Sequence, residues 1–151
     1  MTMTVISEWD APIERVWALW SDPRKLERWW GPPGYPATMV DFELRPGGVV
    51  TYYMTSPEGQ RHHGWWRVLE VDAPRRCRIE DGFGESPDDP APGLPSGIMT
   101  VSLHALPTGA TRMEVESIFP SREAMEQVLA MGMEEGMKAA ITQIDAILAE
   151  G

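Results

Sequence analysis

The last thirty residues carry an apolar stripe at helical spacing, and this stripe most constrains what the chain can fold into. Ser121 is a candidate N-cap, and Glu123 and Glu126 place acidic side chains in the first turns, where the helix dipole favours them. This pattern therefore predicts one long helix over residues 121–150. Its apolar face must be buried against a large apolar surface elsewhere in the chain. The stripe consists of Met125, Val128, Leu129, Gly132, Met133, Gly136, Met137, Ala140, Ile141, Ile144, Ile147 and Leu148.

The partner surface is predicted between residues 36 and 119, where apolar residues alternate with polar ones. Six such segments, separated by turns rich in proline and glycine, indicate six short strands. Tight turns between strands are typical of an antiparallel meander with one covered face. In residues 86–97 four of twelve residues are proline, so we expect a stiff surface loop that does not join the sheet.

The first 35 residues add a strand and two short helices. Residues 3–9 alternate and predict a strand. Pro12 and Pro23 stand at the starts of two helical segments, and Asp22 is a candidate N-cap for the second. The order of strand, two short helices, six-stranded antiparallel meander and long C-terminal helix predicts an α+β fold in which that helix lies across the sheet.

Length, charge and cysteine content narrow the functional classes. The 151 residues fit a single domain, 1–151. A net charge of −10 argues against nucleic acid or a membrane surface as partner, since both bind clustered Lys and Arg. The single cysteine, Cys77, excludes an internal disulfide, and no apolar run is long enough to span a bilayer. Because residues 1–6 lack the basic region of a signal peptide, we expect a cytoplasmic protein.

Several short patterns resemble one known family. They are Ala11-Pro12 before Val16-Trp17, Asp22-Pro23 before Trp29-Trp30, Arg-Pro-Gly-Gly at 45–48, the stretches 66–74 and 80–83, and Gly-Met-Glu-Glu-Gly at 132–136. Together they resemble the START-like (SRPBCC) helix-grip superfamily, and within it the branch named after the activator of the heat-shock-protein-ninety ATPase. The resemblance covers essentially the whole chain and implies the helix-grip fold. It leaves the function open, because the superfamily includes lipid carriers, polyketide cyclases and chaperone co-activators.

The resemblance implies a gap between the long helix and a curved sheet, and strand parity predicts its walls. Gly132 and Gly136 leave space on the helix, although the same glycines would also allow the helix to pack closer with no void. The predicted ligand-binding residues are Tyr52, Met54, His63, Trp65, Arg67, Asp81, Phe83, Met99, Val101, Met113, Val115, Met133, Gly136, Met137 and Ala140.

Asp81 is the most informative polar residue of this predicted pocket, because Ile79 and Phe83 share its face of the strand. A buried carboxylate without a partner costs free energy or has a raised pKa. We therefore expect Asp81 to pair with Arg67 or His63 on the neighbouring strand. The alternative is a hydrated Asp81 at the rim of the pocket.

Two adjacent tryptophans on the third predicted strand must point to opposite faces. Trp65 has the parity of the predicted pocket, so Trp66 is expected on the open face of the sheet. There it is a candidate contact for a partner or for the second subunit of a homodimer. Trp29 and Trp30, together with the proline-rich loop 86–97, are expected to frame the mouth of the pocket.

No catalytic or metal-binding constellation stands out in the sequence. His62 and His63 are adjacent in a strand and point to opposite faces, and Cys77 lies among apolar positions with no neighbouring base. We therefore predict no catalytic residues, no metal and no cofactor.

Three functions are compatible with the sequence. We favour the binding of a small apolar or amphipathic ligand. The second is a cyclase- or hydrolase-type enzyme that uses Asp81 on a polyketide-like molecule. The third, a chaperone co-activator or stress-response partner, is the least favoured. The additional domain through which such activators engage their chaperone has no counterpart in these 151 residues.

Overall fold

The structure, a computed structural model, describes residues 2–150 without the side chain of Met133. Its element order confirms the predicted α+β fold with an antiparallel meander and helices that cover it. The elements are β1 (Thr2–Trp9), α1 (Ile13–Ser21), α2 (Pro23–Trp29), β2 (Ala37–Phe42), β3 (Val49–Thr55), β4 (Arg61–Asp72), β5 (Arg76–Ser86), β6 (Asp89–Pro90), β7 (Gly97–Ala105), β8 (Thr111–Ile118), α3 (Arg122–Ala130), α4 (Met133–Ile141) and α5 (Ile144–Ala149).

The main sheet has the strand order β1-β8-β7-β5-β4-β3-β2, and all its pairs are antiparallel. The first strand therefore pairs with the last, next to the meander. The proline-rich stretch differs from the prediction, because the two residues of β6 pair with the end of β5. Pro90 is tolerated there since β6 has no second neighbour that would need its missing N–H.

Two predicted helix starts are confirmed by their caps. The Asp22 carboxylate accepts a hydrogen bond from the backbone N–H of Arg24 at 2.9 Å, and Pro23 occupies the first turn of α2. The Ser121 hydroxyl accepts one from the backbone N–H of Ala124 at 3.0 Å, at the start of α3. Within residues 2–150, no helix is both long and apolar enough to cross a membrane.

The C-terminal segment is three consecutive helices, where the sequence predicted one. Gly132 has a φ of +82°, a left-handed conformation that glycine adopts at little cost, and it separates α3 from α4. At the second break the Thr142 hydroxyl donates to the Ala139 carbonyl at 2.6 Å. The Gln143 side chain donates to the Gly31 carbonyl at 2.7 Å, which fixes this end of the segment to the chain following α2.

The helices cover one face of the sheet, here called the inner face, and its opposite is the outer face. The main apolar core joins side chains of α1, α2 and α5 to inner-face residues of the strands. Trp20 is fully buried at its centre, and its ring lies 4.8 Å from that of Trp29 and 6.2 Å from that of Trp66. A smaller cluster of Phe119, Ala124 and Val128 holds α3 over the far end of the sheet.

The two glycines of the C-terminal segment are expected to respond oppositely to alanine. Gly132→Ala places a Cβ on a left-handed backbone and should lower the free energy of unfolding by about 1 kcal/mol. Gly136→Ala removes a flexible residue from the interior of α4, and outside the adjacent residues and backbone of that helix no described atom lies within 4 Å of the new Cβ. It should raise the free energy of unfolding by up to about 1 kcal/mol. Urea denaturation measures both changes, and a stabilised Gly132→Ala would contradict the break described here.

Candidate functional site

A pocket of about 220 Å³ lies between the inner face of the sheet and the helices. Residues of β3, β5, β7, α3 and α4, and of the loops beside them, contribute to its walls. Apart from Asp81 and the Tyr52 hydroxyl, the described lining residues are apolar or glycine. They are Trp30, Pro32, Tyr52, Met54, Asp81, Phe83, Pro95, Gly97, Met99, Phe119, Val128, Met131, Gly136 and Met137.

Aromatic rings pack edge to face at one end of the pocket and make that wall rigid. The Trp30 ring centroid lies 6.2 Å from that of Tyr52 and 5.1 Å from that of Trp66, and both pairs are nearly perpendicular. Such edge-to-face pairs add to the free energy that burial of the rings already supplies. Trp66 is fully buried behind this wall.

Tyr52 lies across the neighbouring strand because that strand has no side chain beneath it. Gly64 is its register partner in β4, and a Cβ built on Gly64 would stand 2.5 Å from the phenol ring. Burial raises the pKa of the Tyr52 phenol well above its ordinary value, and the negative charge of Asp81 adds a smaller rise. The phenol is therefore neutral at physiological pH.

Two indole N–H groups, those of Trp30 and Trp66, are completely buried near the Tyr52 hydroxyl. Trp30, and to a smaller extent Trp66, lowers the pKa of that phenol against the larger rise caused by burial. Neither indole makes a hydrogen bond to any described residue. Because these donors have no accessible surface, a molecule in the pocket reaches Tyr52 and Asp81 rather than the indoles.

Asp81 places a carboxyl on the inner face, opposite Trp66 in β4 and Gly97 in β7. Its side chain keeps some accessible surface through the pocket, while the surrounding protein atoms desolvate it. Burial raises its pKa to about 7. The backbone N–H of Asp81 itself acts in the opposite direction, and the charge of Glu80 adds to the rise. No side chain among residues 2–150 forms an ion pair with this carboxyl.

The predicted pairing of Asp81 with Arg67 or His63 is wrong, because β4 has the opposite parity. A β-bulge between Val68 and Glu70 shifts the register by one residue, so Asp81 faces Trp66. If the register of Val71 with Cys77 continued without the bulge, Arg67 would stand opposite Asp81. Strict alternation from the inward-facing Val71 assigns Arg67, Trp65 and His63 to the inner face, which is the wrong set of side chains.

The bulge therefore moves three predicted ligand-binding residues, His63, Trp65 and Arg67, to the outer face, away from the pocket. Arg67 lies 3.4 Å from Glu80 there, and His63 lies 3.5 Å from Glu85. The Trp65 indole donates to the Phe83 carbonyl at 3.0 Å. Trp66, expected on the open face as a partner or homodimer contact, is instead part of the core.

The other predicted residues divide between the pocket and the core beside it. Seven of them line the pocket: Tyr52, Met54, Asp81, Phe83, Met99, Gly136 and Met137. Four are buried in the core and do not line it: Val101, Met113, Val115 and Ala140. The predicted contribution of Met133 lies outside the described side chains.

Further lining residues were missed because they follow or precede the regular strands. Phe119 comes directly after β8, and Gly97 begins β7 after the proline-rich loop. Val128 belongs to the apolar stripe of the C-terminal segment, so its spacing could have identified it. Of the residues expected to frame the mouth, Trp30 and Pro95 of the proline-rich loop line the pocket. Trp29 does not line it, because its side chain is fully buried in the core.

Cys77 offers no nucleophile to this site. It is buried in β5, and burial raises the pKa of its thiol to about 12, so the thiol stays protonated and unreactive at neutral pH. In the part of the chain that the structure describes, no three His, Cys, Asp or Glu side chains come together as metal ligands. The polar chemistry of the pocket is therefore that of Asp81 and Tyr52.

Comparison with protein families gives one match to nearly the whole chain. The profile of the family described as "Activator of Hsp90 ATPase homolog 1-like protein" matches residues 10–149. No curated protein matches the sequence.

Solved structures with the same fold include two of high sequence identity. A protein from Arthrobacter aurescens, studied by NMR, is 45% identical over 99% of this chain and 87% of its own, with a TM-score of 0.92. A crystal structure of a protein from Mycobacterium smegmatis is 44% identical over 97% of this chain and 90% of its own, with a TM-score of 0.88. A protein in the dynemicin biosynthetic locus is 17% identical over 98% of this chain and 47% of its own. Its TM-score is 0.72, and the likeness concerns the fold alone.

The raised pKa of Asp81 gives the stability a pH dependence of defined sign. Between the ordinary carboxyl value of about 4 and the folded value of about 7, the folded protein keeps a proton that the unfolded chain has lost. The free energy of unfolding should therefore fall as the pH rises through this window. Asp81→Asn removes the titration, so its stability relative to wild type should increase by up to about 4 kcal/mol from pH 4 to 7.

Urea denaturation at about pH 4.5, 6 and 8 measures this difference. Asp88→Asn removes the same charge from an exposed position and serves as the control, for which no such trend is expected. A constant difference between Asp81→Asn and wild type across the three pH values would contradict the desolvation of Asp81.

Proposed function

The chain belongs to the family described as Activator of Hsp90 ATPase homolog 1-like protein, and on this premise we propose that it binds a small, largely apolar molecule in its inner pocket. One observation carries the proposal: a pocket with almost entirely apolar walls and one carboxyl lies between the sheet and the C-terminal helices. Apolar walls with a few polar groups that set orientation are typical of small-molecule sites.

The walls combine rigid and adaptable side chains, which supports binding of a molecule rather than simple core packing. Trp30 and Tyr52 belong to the fixed aromatic cluster. Met54, Met99 and Met137 line the same space, and methionine side chains adjust to the shape of a ligand at little cost. Met131 is 51% exposed and also lines the pocket, so it lies at the rim.

Gly136 supports the proposal because it keeps α4 from filling the space. A Cβ built on this residue meets no described atom within 4 Å outside the adjacent residues and backbone of its own helix, although Gly136 lies in the interior of a packed helix. Glycine there costs helix stability relative to alanine and contributes no packing. Open space in front of the residue is what a ligand would occupy.

Acid–base catalysis in the same pocket is the second candidate function. Asp81 favours it, because a partnerless carboxyl with a pKa of about 7 exchanges a proton readily at neutral pH. The related fold of the protein in the dynemicin biosynthetic locus is compatible with action on a polyketide-like molecule, but at 17% identity it adds no residue-level argument. Turnover that is lost in Asp81→Asn while ligand binding is kept would support this function.

Filling the pocket from Gly136 should weaken ligand binding without unfolding the protein. Gly136→Phe projects a ring into the open space, whereas Gly136→Ala adds one methyl group and serves as the matched control. The neutral probe N-phenyl-1-naphthylamine should bind wild type and Gly136→Ala with similar affinity and bind Gly136→Phe at least about tenfold more weakly.

Probe fluorescence gives the affinities, and urea denaturation shows that each variant is folded. Equal binding of the probe to all three proteins would place its site outside the pocket and contradict the proposal. Absence of binding to wild type would contradict it as well.

A further inference from the structure

We propose that the pocket selects ligands that carry a protonated amine at one end of an apolar body, with Asp81 as the counter-ion. This inference rests on the proposed function and adds the chemical class of the ligand. It follows from where the charged side chains lie and from which polar atoms a ligand can reach.

The first step is the charge balance of the pocket. Among its described lining residues only Asp81 and Tyr52 are titratable, and Arg, Lys and His are absent from that set. Two basic residues of β4 face outward, Arg67 beside Glu80 and His63 beside Glu85. His62, the register partner of Met54, is exposed and is not among the lining residues. A desolvated carboxylate without a counter-charge costs free energy, and no described lining residue supplies a positive charge. A cation bound beside Asp81 would provide that charge and would be stabilised by the carboxylate.

The second step is the aromatic content of the same walls. Trp30, Tyr52, Phe83 and Phe119 all line the pocket. The faces of aromatic rings attract cations, and the attraction is strongest where water is excluded. An ammonium group would therefore be stabilised by the rings as well as by the carboxylate, while its apolar body contacts Met99 and the remaining walls.

The third step separates a cationic ligand from one that presents only hydrogen-bond acceptors. An acceptor needs donors, yet the indole N–H groups of Trp30 and Trp66 have no accessible surface, which leaves the neutral Tyr52 hydroxyl as a donor in the described lining. Asp81 can donate only in its protonated form, whereas its charged form accepts. A charged donor makes a stronger hydrogen bond to a carboxylate than a neutral donor does. An amine thus fits better than a carbonyl compound or an alcohol of the same shape.

The protein as a whole also favours cations. It has 13 Lys and Arg residues against 23 Asp and Glu residues, a net charge of −10. A net negative field raises the local concentration of cations and their rate of association. This effect weakens with added salt, whereas contact with a buried Asp81 should not.

Coupling to a proton distinguishes this inference from simple hydrophobic binding. On β4, Trp66 stands opposite Asp81, and the exposed His62 lies outside the lining. The groups that face Asp81 from β3, β7, α3, α4 and the proline-rich loop are Tyr52, which stays neutral, and otherwise apolar residues or glycines of the lining. Glu80 acts from the outer face. Since the free carboxyl holds a proton below about pH 7, binding of an ammonium should release it, and affinity should rise with pH up to about 7 and then level off.

The test compares two ligands of equal shape, 2-(naphthalen-1-yl)ethylamine and 2-(naphthalen-1-yl)ethanol, by isothermal titration calorimetry. At about pH 7.5 wild type should bind the amine at least about tenfold tighter than the alcohol. At about pH 6, titrations in two buffers of different ionisation enthalpy should show that the amine releases close to one proton and the alcohol none.

Two variants locate the effect. Asp81→Asn should bind both ligands within about twofold of each other and release no proton, because it keeps the shape of the pocket and loses the charge. Asp88→Asn, which removes the same charge at an exposed position, should keep both the preference and the proton release.

The outcomes separate this inference from the proposed function. Equal affinity for amine and alcohol in wild type, with N-phenyl-1-naphthylamine still bound, overturns the amine selectivity and leaves the apolar pocket as the site. A preference for the amine that persists in Asp81→Asn also overturns it. Failure of all three molecules to bind wild type overturns both.

Discussion

The architecture depends on covering the inner face of the antiparallel sheet with helices that change direction. Trp20 and its neighbours on α1 and α2 fill one end completely. The C-terminal segment covers the rest of the inner face as separate helices, because Gly132 turns the chain between α3 and α4. Val128 before this turn and Gly136 after it both line the pocket. The pocket is therefore lined from two separate helices of this segment, α3 through Val128 and α4 through Gly136.

The isolation of Asp81 is a consequence of strand alternation. Glu80 and Asp81 are neighbours in β5, and the pleat sends them to opposite faces. Arg67 and His63 of β4 also lie on the outer face, beside Glu80 and Glu85. The inner face keeps one carboxyl and no base among the described residues that line the pocket. The same alternation that buries the apolar core therefore creates the pocket's polar end.

Much of the fold can be predicted from local sequence signals. Proline and glycine mark the turns, Asp22 and Ser121 cap helices as expected, and period-two spacing identifies the inner face of β5, β7 and β8. The site is less predictable, because one irregularity changes a whole strand. The bulge in β4 has no proline or glycine to mark it, and Val71 and Val68 both face inward although they are three residues apart. The left-handed Gly132 is similarly hidden, since glycine inside an apolar stripe also fits a continuous helix.

The bulge matters for function as well as for register. Without it, Arg67 would share the inner face with Asp81, and an internal ion pair would neutralise the carboxyl and occupy the polar end of the pocket. With it, Trp66 takes the inward position and joins Trp30 and Tyr52 in the aromatic wall, while Arg67 stays beside Glu80 outside. A shift of one residue thus exchanges a salt bridge for an apolar pocket with a single unpaired carboxyl. A ligand can therefore fill the apolar pocket and pair with the charge of Asp81.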